Sequence, residues 1–157
     1  MRTDVFFFGT VPMPDAGAAG PVPTERRYGV DAVRAGYQNQ VHWAETADRL
    51  GYDTFWSTEH HFQHEGYEII PNLLMLGVAL AGRTRNLRFG QMFNVVPQWH
   101  PLRLAEDFAL ADVLTGGRME FGVGRGTVPR EAWALGTVVD RFHAMAQGHD
   151  VVLVVGS

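Results

Sequence analysis

Residues 87–126 read LRFGQMFNVVPQWHPLRLAEDFALADVLTGGRMEFGVGRG, and the order of patterns within them decides the fold. Leu87 to Val96 is rich in β-branched and aromatic residues, the composition of a strand. Pro97 and Pro101 mark a turn. Leu104, Phe108, Ala111 and Leu114 then recur at helical spacing, and Gly116-Gly117 stops the helix. Met119 to Val123 is a second short apolar run, closing in Gly124-Arg125-Gly126. Strand, turn, helix and strand in this order form one parallel βαβ unit.

The alternation extends outward on the N-terminal side. Val5 to Gly9 suits a buried strand. Thr10 to Gly36 carries Pro12, Pro14, Pro21 and Pro23 with Gly17 and Gly20, which resists helix and strand and predicts a long loop, either functional, as an active-site loop, or disordered. Tyr37 to Leu50 predicts a helix with Val41, Ala44, Ala47 and Leu50 inward and Gly51 as its stop. Thr54 to Thr58 predicts the next strand, with Glu59-His60-His61-Phe62 at its end. Pro71 opens a helix that runs to about Gly82 and is apolar nearly all round, so burial on every side is expected. Residues 141–157 form an atypical tail, with a short helix expected at Arg141 to His149 and a strand at Val151 to Val155.

Such alternation predicts an α/β fold with a parallel sheet and right-handed crossovers, either a TIM barrel or a doubly wound sheet. No G-x-G-x-x-G follows the first strand, which counts against a dinucleotide site. Thr10, Glu59-His60-His61, Asn94 and Arg125 all follow strand ends. In a barrel these positions meet at one face, where barrel active sites lie, so the TIM (β/α)8-barrel type is expected. A whole barrel takes about 250 residues, so this chain of 157 residues supplies only about the first four to five βα units. The expectation is a single partial barrel domain over 1–157, a fragment equivalent to the N-terminal half of a longer protein.

Composition narrows the function classes. Apolar residues at 46% allow a sizeable core, while 19% charged residues and a net charge of −4 leave no basic stripe for nucleic acid. The absence of cysteine removes disulfides and thiolate metal sites. The apolar run at the N-terminus is too short for a signal peptide or a membrane span, so a soluble cytoplasmic protein without a membrane partner is expected.

Glu59-His60-His61-Phe62-Gln63-His64-Glu65 is the most polar cluster. Imidazole titrates near neutral pH, so His60 or His61 suits a general base. The spacing of His60, His61 and His64 also suits zinc, although no H-E-x-x-H is present. A third reading makes them surface histidines at a loop start, and all three stay open on spacing alone. Arg125 between two glycines suits a phosphate and equally suits an ordinary surface turn. Arg118, at the opposite end of its strand, reads as structural. So do Glu106, three residues from Arg103, and Asp107.

Together, Glu59-His60-His61-Phe62 after a strand, His100-Pro101-x-Arg103-x-Ala105-Glu106-Asp107, Asp112-x-Leu114-x-x-Gly117-Arg118 and Gly122-x-x-Arg125-Gly126 closely resemble the bacterial luciferase-like flavin-dependent monooxygenases. The resemblance runs from the first strand to about Asp140. It implies a TIM barrel, reduced FMN from a separate flavin reductase, and reaction with O2 through a C4a-peroxyflavin that oxygenates a small organic substrate. It implies His60 as the catalytic histidine near the flavin and Arg125 as the FMN-phosphate ligand. It also implies Met92-Phe93 as a pair joined by a cis peptide under the flavin ring, with Asn94 beside it lining the pocket. Gly124 stands where the luciferases proper have a cysteine, which argues against light emission. An F420-dependent oxidoreductase of the same superfamily is the alternative enzyme, and a non-catalytic flavin-binding protein the alternative class. A metallohydrolase built on the histidine cluster is a further reading. A half-barrel exposes its edges, so a homo-oligomer is expected.

Overall fold

The computed structural model describes residues 1–12 and 27–137. Its strands are β1 (Asp4–Phe7), β2 (Thr54–Ser57), β3 (Arg88–Gln91), β4 (Asn94–Val95), β5 (Met119–Glu120) and β6 (Val123–Gly124). Its helices are α1 (Val30–Leu50), α2 (Leu73–Ala81), α3 (Pro101–Thr115) and α4 (Pro129–Ala134). β1, β2, β3 and β5 form one sheet in that spatial order, every pairing parallel. β4 and β6 pair, also in parallel, beyond the ends of β3 and β5. A doubly wound sheet reverses its strand order partway, and among the described residues this sheet runs in one direction only.

The register sorts side chains onto two faces. Val5, Phe55, Phe89 and Met119 lie in one row across the sheet. Phe55, Phe89 and Met119 are buried with Ala44 and Ala47 of α1, Leu74 and Leu80 of α2, and Leu104 and Ala111 of α3. Each large side chain so buried contributes about 1.5–3 kcal/mol of transfer free energy. Right-handed crossovers in one direction lay successive helices on the same face, so a single core forms. On the other face, Trp56 covers Gly90 so closely that a Cβ there would sit 2.1 Å from the indole. Glu120 is buried on that face and is held by Arg2 at 2.6 Å and Arg88 at 2.5 Å.

Several elements differ from expectation. α1 begins at Val30, so the predicted loop from Thr10 does not extend to Gly36. Gly36 is no breaker: a Cβ there would lie 2.9 Å from the Thr10 carbonyl oxygen and 2.8 Å from Ile69, so glycine serves close packing inside the helix. Residues 13–26 of that loop, the predicted helix at Arg141 to His149 and the strand at Val151 to Val155 lie outside the described residues. The expected strand over 87–96 is split into β3 and β4, and that over 119–123 into β5 and β6.

Leu50 and Leu114, expected inward, are exposed. Leu50 is the last residue of α1, and the inward stripe of α3 is Leu104, Phe108, Ala111 and Thr115, which Leu114 does not join. α2 is not buried all round, because Met75 is 72% exposed. The side chain of Asn72 caps α2 by accepting from the Met75 N–H at 2.9 Å. Arg118 is structural, as expected, donating to the carbonyls of Ala81, Thr84, Leu87 and Thr115. Among the described residues, no helix is long and apolar enough to cross a membrane.

Candidate active site

Parallel strands deliver their C-terminal ends to one edge of the sheet, and the chemistry-bearing residues follow those ends. After β2 come Thr58, Glu59, His60 and His61. After β3 come Met92 and Phe93, joined by a cis peptide bond. After β5 the chain runs through β6 into Arg125.

His60 lies between two carboxylates. Its Nδ1 is 2.9 Å from Oε1 of Glu131 and its Nε2 is 2.6 Å from Oε2 of Glu68. The imidazole is partly accessible, the Glu68 side chain similarly so, and Glu131 is fully buried. Glu131 stands in the first turn of α4 and also accepts the His61 backbone N–H at 3.0 Å. Thr58 donates its hydroxyl to the same Glu68 oxygen at 2.8 Å.

His61 and His64 face other carboxylates. His61 Nε2 lies 3.0 Å from Glu59, which is buried and also accepts from the Val95 N–H and the Trp99 indole. His64 Nε2 lies 3.1 Å from Glu65. The three imidazoles therefore diverge. Among the described residues no group of three or more His, Asp or Glu side chains has the arrangement of a metal site. Arg130 closes the cluster, gripping both oxygens of Glu65 at 2.8 and 2.9 Å and the Phe62 carbonyl at 3.0 Å. That bidentate grip holds the Glu65 carboxyl well below the usual carboxylate range, at about 2, against the opposing effect of burial. Phe62 adopts the left-handed region at φ 57, in the loop whose carbonyl Arg130 grips.

The remaining expected site residues take distinct positions. Met92 is 36% exposed, Phe93 is half-buried and Arg125 is exposed. Asn94 is fully buried; its Nδ2 donates to the Gly122 carbonyl at 3.0 Å and to Gln91, while its Oδ1 is without a hydrogen-bond partner. A Cβ on Gly124 would lie 2.6 Å from the Phe93 ring, so the missing side chain makes room for the residue that follows the cis bond. Glu68 and Glu131 had not been singled out from sequence. Glu131 sits 71 residues from the histidine it contacts, in a helix of six residues, and no local pattern marks it.

The family described as Luciferase-like monooxygenase matches residues 1–148. The alkanal monooxygenase alpha chain of Aliivibrio fischeri is 37% identical over 99 residues, 63% of this chain and 27% of that protein. The oxygenase component of the flavin-dependent trigonelline monooxygenase of Acinetobacter baylyi is 33% identical over 109 residues, 64% of this chain and 30% of that protein. The crystal structure of monooxygenase RslO1 from Streptomyces bottropensis superposes with a TM-score of 0.70 at 28% identity, covering 92% of this chain and 39% of that one. The match therefore spans less than a third of the length of these two curated relatives.

Proposed function

The chain belongs to the luciferase-like monooxygenase family, and from that premise we propose that it is the N-terminal part of a flavin-dependent monooxygenase that oxygenates a small organic substrate with reduced FMN and O2. In this reading the parallel units are the first part of a TIM barrel, formed as one domain, and a separate reductase supplies the reduced flavin. Self-association would cover surface that a partial barrel leaves open.

The observation that carries the reading is the position of His60, Met92–Phe93 and Arg125, each just after the C-terminal end of a parallel strand. The donor set suits FMN. Met92 and Phe93 offer partly exposed apolar surface to an aromatic ring, and the Phe93 ring rests against the bare backbone of Gly124. The exposed Arg125 guanidinium suits a phosphate, which takes paired N–H donors better than a point charge. Asn94, buried next to the cis pair, ties that turn to the Gly122 carbonyl, and its Oδ1 is without a hydrogen-bond partner.

Reduced FMN, when bound, would supply the two electrons by which one oxygen atom of O2 becomes water while the other enters the substrate. The chain's own part is to hold the phosphate at Arg125, support the ring at Met92–Phe93 and move a proton at His60. Titration of the 157-residue chain with oxidised and reduced FMN, followed by flavin fluorescence, tests this. Saturable binding is expected, weakened about 10–100-fold in Arg125→Ala, the equivalent of one charge-assisted hydrogen bond. Binding that is indifferent to Arg125→Ala removes the phosphate assignment, and saturable binding of F420 in place of FMN moves the chain to the deazaflavin enzymes.

A further inference from the structure

We propose that Gln91 and Asn94 are positioning residues, joined side chain to side chain across a one-residue bulge, and that this bracket fixes where Met92 and Phe93 project. The inference rests on the reading of Met92–Phe93 as the support of the flavin ring. The bulge follows from the register. Gly90 pairs with Glu120 and Asn94 with Val123, so four steps along one strand meet three along its neighbour. One residue is therefore extra between β3 and β4. Such an insertion bends the strand and re-aims its side chains.

The extra residue of a bulge has no partner in the ladder, so its aim depends on other contacts. Side chains on either flank supply them here. Gln91 donates its Nε2 to the Phe89 carbonyl at 3.1 Å, which turns its Oε1 toward Asn94. The Nδ2 of Asn94 donates to that oxygen at 3.3 Å and to the Gly122 carbonyl at 3.0 Å. The Asn94 backbone N–H donates to the same carbonyl at 3.0 Å. Both side-chain amides are thereby oriented: turning either one round would set oxygen against oxygen. Gly122 completes the hold. A Cβ there would lie 1.8 Å from the Gln91 carbonyl oxygen, so the neighbouring strand is bare where the bulge presses on it. On the other side the Met92 N–H donates to the Ser57 carbonyl at 2.8 Å.

Burial divides the segment into holders and held. Gln91 is 1% exposed and Asn94 0%, whereas Met92 is 36% exposed and Phe93 half-buried. A molecule arriving at the strand ends meets Met92 and Phe93 and reaches neither amide. Asn94 thus serves the site through the pair that precedes it and does not line the pocket. A direct contact and a bracket then make different predictions for Gln91. Removing Gln91, which no ligand touches, should reproduce the effect of removing Asn94.

Methionine-methyl NMR of the full 157-residue chain, without and with FMN, tests this. The Met92 methyl is assigned by its loss in Met92→Leu, and the methyl of Met119, buried in the core, reports an intact fold. Gln91→Leu, which keeps the volume, and Asn94→Ala are each expected to shift the free chain's Met92 signal and leave that of Met119 in place. Asn94→Asp should act likewise, because it sets a carboxylate against two acceptors. Each variant is expected to weaken FMN binding about 3–10-fold, the equivalent of one hydrogen bond, and to displace the absorption bands of the bound flavin. The double variant should cost no more than either single one, since the two side chains act as a unit. A Met92 signal indifferent to Gln91→Leu and Asn94→Ala overturns the bracket. So does FMN binding that Asn94→Ala weakens and Gln91→Leu leaves unchanged, for Asn94 would then touch the flavin. Weaker binding with unaltered flavin bands also overturns it, leaving the two residues a role in stability alone. If FMN leaves the wild-type Met92 signal unmoved, the flavin-support reading falls, and the shifts in the free chain still decide the bracket.

Discussion

Replacing Glu65 by glutamine should unfasten α4 from the loop that carries His60. In the wild type the Arg130 guanidinium grips both Glu65 oxygens and holds that carboxyl at about 2 rather than 4.5. At about 1.36 kcal/mol per unit this shift has a ceiling of about 3 kcal/mol. The Arg130 side chain is 44% exposed, and solvent screening there reduces the expected contribution to about 1–2 kcal/mol. The folded-state value is depressed, so the stabilisation is complete above 4.5 and is lost as pH falls toward about 2. Urea titrations of wild type and Glu65→Gln at stepped pH should show a gap of about 1–2 kcal/mol at neutral pH that closes on acidification. Amide exchange should accelerate at His61, whose N–H bonds to Glu131 on the same helix. A gap that stays constant from neutral pH down to about 2 would refute the argument, because the ion pair would then be no source of the pH dependence.

Two further perturbations read the packing behind the site. Gly124→Ala should destabilise the chain by about 1–3 kcal/mol, the usual cost of overpacking, since the new methyl meets the Phe93 ring at 2.6 Å; chemical denaturation measures it, and an unchanged midpoint would show that Phe93 yields freely. Asp48→Ala should cost about 2–4 kcal/mol by leaving the N–H groups of Arg85, Asn86 and Leu87 without their acceptor. Burial pushes the Asp48 carboxyl up, but those three backbone donors prevail and hold it below its ordinary value. Its stabilisation is therefore present above the unfolded value and lost as pH falls through the lowered one, which thermal melts across acid pH would follow.

Much of the architecture could be read locally. In α3, Leu104, Phe108 and Ala111 recur on one helical stripe because that stripe meets the sheet, and period carries that information. Leu114 broke the reading since spacing alone cannot tell the edge of a stripe from its centre. Gly36 and Gly124 show the same limit from the other side: a glycine looks like punctuation until its neighbours in space, Thr10 and Phe93, are known. His60 was legible from its place after a strand end, whereas its two carboxylates were not. Glu68 lies in a loop with no periodicity, and Glu131 reaches the ring from 71 residues further along. The cis bond at Met92–Phe93 was expected only through family likeness, as no local composition demands it in a pair without proline.

The one-directional strand order also bears on how the molecule is made. β2 adds to β1, β3 to β2 and β5 to β3, so each new unit meets an edge that the ribosome has already released. Domains gain structure from the N-terminus during synthesis, and pairing with the preceding unit spares the nascent chain a search for a distant strand. The site does not mature on that schedule. His60 emerges with the second strand but meets Glu131 only after α4 has followed, 71 residues later. The strands of the sheet thus precede, along the chain, the carboxylate that meets the histidine, and that carboxylate lies in the shortest of the described α-helices.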